Sequence, residues 1–165
     1  MNRAELRRFI VVALPCSLFI ALAASVAVTA LLPDSAVAPG SIGQHWHATY
    51  EVWICGERQP NFPIWQSGVH THADGIIHIH PLQTFEEGRG ARLVKFFEYG
   101  GGLLTRDEMR MPGSTQTIRN GLLCPDGAAG VLGVAVNGKV LDNWMEYIPE
   151  DGDRIVITFD PEPDS

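Results

Sequence analysis

The chain opens on an apolar block and then changes character. The 24 residues from Phe9 to Leu32 include no charged side chain, and as a helix they would reach about 36 Å, enough to cross a bilayer. Residues 33–43 (PDSAVAPGSIG) are small, polar and rich in proline and glycine, the composition of a linker. From Gln44 the apolar positions alternate. Trp46, Ala48, Tyr50, Val52 and Ile54 fall on one side of an extended chain, and His45, His47, Thr49, Glu51 and Trp53 on the other. That pattern predicts a half-buried strand over 45–55. Pro60 and Pro63 break the loop that follows, up to Gly68. In VHTHADGIIHIHP (69–81), Asp74-Gly75 is a turn signal between two short runs, and Pro81 ends the second.

A helix is expected from Thr84, with Glu87 completing a capping box and Leu93, Phe96, Phe97 and Gly100 at helical spacing. Gly88 and Gly90 weaken its first half, and the glycines at 100–102 stop it. Residues 103–130 have no clear period. Thr105 to Glu108 has the form of a cap for a short helix, Pro112-Gly113 and Pro125-Asp126-Gly127 read as turns, and the stretch is expected to be a long connection held by Cys124. In VLGVAVNGKVLD (131–142), Asn137-Gly138 is a strong hairpin signal, and RIVITFD (154–160) reads as the last strand. The expected class is α+β: an N-terminal transmembrane helix, then a mixed sheet with one packed helix. Its parts are a cytoplasmic N-terminus and anchor (1–32), a linker (33–43), an extracytoplasmic domain (44–160) and a tail (161–165).

The ending VAVNGKVLDN, then Tyr147-Ile148, then PEDGDRIVITF resembles the close of small sulfur-carrier and related β-grasp, or ubiquitin-like, proteins. The resemblance covers about the last 30 residues by motif and the rest by order of elements. It implies a β-grasp-like domain. A carrier's C-terminal Gly-Gly is absent from the ending PEPDS, so thiocarboxylate chemistry is not implied. The segments HWHATYEVWI, GIIHIHP and FFEYGG also resemble a group of uncharacterised, often membrane-tethered bacterial domains with paired HxH motifs. That likeness implies no particular activity.

Charge refines the picture. Arg3, Arg7 and Arg8 precede the apolar block, so the positive-inside rule puts the N-terminus in the cytoplasm and everything after Pro33 outside it. A cleaved signal peptide is the competing reading, since Ala36-Val37-Ala38 has the small-x-small form. Pro39 opposes cleavage there, and the block is longer than the roughly 7–15 apolar residues of a secretory signal. Leu14-Pro15-Cys16 lacks the small residue that precedes a lipoprotein cysteine. The chain has 12 basic and 19 acidic residues, of which three arginines and one glutamate lie in the first 32. The remainder therefore carries 9 and 18, a balance of −9. That argues against a nucleic-acid partner. The expected partners are the bilayer, through residues 9–32, and a membrane protein. Cys55 and Cys124 either form one disulfide, as an even pair outside the cytoplasm usually does, or supply a thiolate to a metal.

All six histidines occur as His-x-His pairs: His45 and His47, His70 and His72, His78 and His80. In a strand, residues i and i+2 leave the same face, so each pair aims two imidazoles into one volume. In a β-grasp arrangement the first two strands run antiparallel. His45 and His47 would then meet His78 and His80 at one end of the sheet, with His70 and His72 completing or flanking the shell. Imidazole suits zinc, copper, nickel or iron, with zinc and copper preferred here. The scarcity of carboxylates on these strands argues against calcium or magnesium. Asp74 is the nearest carboxylate. The competing reading is a hydrogen-bonded or pH-responsive cluster. No nucleophilic triad can be traced, so no catalytic residue is assigned. The expected role is metal binding or delivery; the alternatives are an enzyme with an open coordination position and a ubiquitin-like interaction module.

Overall fold

The computed structural model describes residues 40–161. The expected anchor at 9–32, the candidate cleavage site at 36–38, most of the linker and the tail beyond Pro161 lie outside the described residues. Strand β1 is Trp46–Ile54, and its alternation is the one the sequence predicts: Ala48, Tyr50 and Val52 are buried, while Thr49 and Glu51 take the other face. β2 (Glu57–Arg58) folds back on the end of β1 through Cys55 and Gly56, both at positive φ. β3 (Val69–His70) and β4 (Ile76–Ile79) pair antiparallel across the Asp74-Gly75 turn. The helix α1 is Leu93–Tyr99. A small second sheet joins β5 (Leu103–Leu104), β6 (Glu108–Arg110) and β7 (Ile118–Arg119). β8 (Gly130–Val136) and β9 (Lys139–Val140) form a hairpin at Asn137-Gly138, and β10 is Arg154–Pro161.

The main sheet runs β3, β4, β1, β10, β8, β9. β1 and β10 are parallel, with Tyr50 beside Ile155 and Val52 beside Ile157; the other neighbouring strands are antiparallel. α1 packs on the apolar side of this sheet, where Phe96 lies 5.3 Å from Tyr50 and Phe62 lies 4.8 Å from Tyr50, ring to ring. The helix buries Leu93, Phe96 and Phe97, each worth about 1.5–3 kcal/mol, and Phe62 from the loop before β3 packs beside them. Among the described residues the architecture is mixed α+β, mostly sheet with one α-helix. Among the described residues no helix is long and apolar enough to cross a membrane.

Two expectations need correction. The helix does not start at Thr84: residues Thr84–Glu86 and Gly88–Ala91 form 3-10 turns, and α-helix begins only at Leu93. The reason is Glu86, which turns inward and is 3% exposed. Its carboxylate accepts the backbone N–H groups of Gly68 (2.7 Å), Leu82 (2.8 Å) and Gln83 (3.0 Å), pulling the segment against β3. Gly88 adds a φ of +50°, outside the helical region. Likewise, Thr105 starts no helix. Its hydroxyl accepts the N–H groups of Asp107 and Glu108 in the turn between β5 and β6. Of the two fates open to the cysteines, the structure has the disulfide: Cys55 and Cys124 are bonded, with Cα atoms 5.6 Å apart.

The final turn is built around a buried carboxylate. Asp153 is 8% exposed and accepts hydrogen bonds from the Asn137 amide (2.8 Å), the Glu150 N–H (2.7 Å) and the Tyr147 hydroxyl. This ties the Asn137-Gly138 hairpin to the Asp151-Gly152-Asp153 turn, which gives those two sequence signals one physical origin. The same turn grips β1. The Gly152 N–H donates to the His47 carbonyl (2.8 Å), and the Asp151 carboxylate accepts the His47 N–H (2.9 Å).

Candidate metal centre

Because β3, β4 and β1 are adjacent, their three His-x-His pairs share one face, opposite the core. The register sets His70 beside His78 and His78 beside His47, one imidazole from each strand. One step further along, the rings of His45 and His80 lie 5.1 Å apart. The six rings close into a circuit. Going from His45 to His47, His78, His72, His70, His80 and back, neighbouring centroids are 4.6–5.1 Å apart. His70 and His78 stack across the middle at 5.3 Å, with an interplanar angle of 18°.

Within this array His45, His47 and His78 each offer one ring nitrogen, and the three atoms lie within 4.8 Å of one another. Two imidazoles on one tetrahedral ion with bonds of about 2.0–2.1 Å have nitrogens roughly 3.3 Å apart. Closing the group thus needs displacements on the order of 1 Å. His45 and His47 are exposed and have room for such a change.

Asp74 sits at the base of the array. Its carboxylate accepts the Ile76 N–H (3.0 Å) and the Thr71 hydroxyl (3.2 Å) through one oxygen, and meets His78 Nε2 at 3.1 Å through the other. Burial alone would raise its pKa; the hydrogen bonds from His78 and Ile76 outweigh that and hold it below the usual carboxylate value. An ionised carboxylate only accepts. The hydrogen in this contact is therefore donated by His78 Nε2.

His70 is the buried member, 6% exposed. Burial, and then the nearby His80, His72 and His78, push its pKa down to about 4. Burial and His45 lower that of His80 as well. Both rings are accordingly neutral near pH 7, the form that ligates a metal. The unfolded chain protonates His70 near its ordinary 6.5, whereas the fold resists until about 4, so the metal-free protein loses stability as pH falls through that window. Chemical denaturation of the metal-free chain is expected to give a value about 1–2 kcal/mol lower at pH 5 than above pH 7. His70→Gln should flatten that slope, and an equal slope in both proteins would contradict the assignment.

Sequence reasoning named all six histidines, and the structure brings all six together. It missed the two groups that fix His47 in place, Asp151 and Gly152. The DGD motif was visible, but nothing local linked it to a strand about 100 residues earlier. It also missed a cleft beside the array, of about 470 Å³, lined by Ile64, Trp65, Leu82, His70, His72 and His80 among others. The walls come from a proline-broken loop with no readable period. The chain matches no protein-family model, and comparisons with curated proteins and with solved structures find no match.

Proposed function

We propose that this chain is a membrane-anchored, extracytoplasmic protein for the binding or delivery of a transition metal, zinc or copper, through its paired histidines. The observation that carries the reading is the triad of ring nitrogens from His45, His47 and His78 within 4.8 Å, set in a contiguous array of six imidazoles. Imidazole nitrogen donors of this kind suit zinc and copper. The strand order, with a parallel pair at the centre, antiparallel strands on both sides and one covering helix, supports a β-grasp-like domain. The uncharged block at 9–32 behind three arginines supports the anchor and the outward orientation of the domain. The cleft beside the histidines is the one feature that favours the enzyme alternative, because it leaves room for a further ligand.

Calorimetric titration of the metal-free full chain with zinc and with copper(II) tests this reading. Saturable binding at one or more ions per chain is expected, with magnesium giving none; absence of binding by both transition metals would contradict it. Asp74→Asn gives a sharper result. The amide keeps an oxygen for Thr71 and Ile76 but presents N–H groups to His78, so that His78 Nε2 loses the acceptor that orients its ring. Metal affinity should fall about 10–100-fold while folding stability changes by no more than about 1 kcal/mol. Unchanged affinity would dissociate Asp74 from the site.

A further inference from the structure

His70 and His72 differ from the triad in their nitrogen spacing and in what they face. Their Nε2 atoms are 3.1 Å apart, close to the roughly 3.3 Å expected for two imidazoles on one tetrahedral ion. A neutral pair at this distance shares a single hydrogen, and an ion in its place would use both lone pairs. Both rings line the cleft, together with His80. Trp65 is fixed as one wall, its indole N–H donating to the Val69 carbonyl at 3.0 Å. Ile64 and Leu82, 64% and 63% exposed, are apolar lips at the mouth. His70 is almost wholly buried, with the Ser67 backbone beside it. Packing therefore holds this ring, with its Nε2 turned to His72.

We propose that His70 and His72 hold a second ion, separate from the one assigned to His45, His47 and His78, and that the cleft binds a small carboxylate with an apolar body that completes this ion's coordination. The inference rests on the metal-binding reading above. The charge argument selects an anion. The lining includes three imidazoles and no acidic side chain, so a divalent ion there keeps its full charge towards the cleft. The apolar walls select the rest of the molecule, and the volume falls in the range of small-molecule sites, about 300–1,000 Å³.

Cobalt(II) reports both features through its visible absorption. The metal-free full chain, in mild detergent, is titrated with cobalt(II) beside His72→Ala, whose replaced side chain is exposed and whose fold is checked by its thermal midpoint. Two ions per chain are expected in the wild type and one in His72→Ala. Phenylacetate should shift the wild-type bands at a concentration at least about tenfold below that of acetate, since burying the ring adds apolar contact, and should leave the variant's bands unmoved. One ion in both proteins overturns the second site, and bands that phenylacetate shifts no better than acetate overturn the carboxylate in the cleft; either result leaves the triad standing. No cobalt in either protein overturns both readings.

Discussion

His78→Ala is expected to weaken zinc or copper binding by about a thousandfold, roughly 4 kcal/mol, measured by competition with a chelating dye. The size follows from its place. His78 lies on the central strand of the three, its ring neighbours His47, His70 and His72, and it belongs to the nitrogen triad. Removing it leaves His45 and His47 as a bare pair on one strand. His80→Ala, whose ring neighbours His45 and His70 at the far end of the circuit, should cost less. The reverse order would mean that the ion sits elsewhere in the array. Because His78 is on the outer face, its loss should leave the core and the thermal midpoint nearly as they are.

The second large effect is on stability. Replacing Cys55 and Cys124 together by serine opens a cross-link spanning 69 residues, and the chain-entropy relation puts the cost at about 4 kcal/mol. For a domain near 120 residues that corresponds to a drop of roughly 15 °C in the thermal midpoint. Metal affinity should not follow. Cys55 is at the opposite end of β1 from His47, about 26 Å along an extended strand, and both sulfurs are engaged with each other. Loss of metal binding in a folded double-serine protein would bring the thiolate reading back.

The histidine array and the disulfide-linked fold differ in how far they could be read from the chain. The period-2 pattern of β1 was legible because one face is buried and the other is not, and the same alternation put the three histidine pairs on one face. The Asn137-Gly138 hairpin was legible because both residues take positive φ, which few residue pairs tolerate. The helix was misplaced for a physical reason. Thr84 and Glu87 have cap spacing, but the neighbouring Glu86 finds three backbone donors, one of them contributed by Gly68 from across the fold. No window of sequence contains that competition. The strands of two and three residues between Leu103 and Arg119 are too short to carry a period. The site divides the same way: the ligand types were written in the HxH spacing, whereas the clamp on His47, the Asp74 contact to His78 and the Trp65 wall depend on tertiary register.

The central claim is that imidazoles from separate strands converge on one ion, and X-ray absorption at the zinc edge of the full chain loaded with one equivalent of zinc tests it most directly. The account predicts a first shell with three imidazole nitrogens at about 2.0–2.1 Å and no sulfur. A shell of oxygens alone, or a sulfur near 2.3 Å, would contradict it.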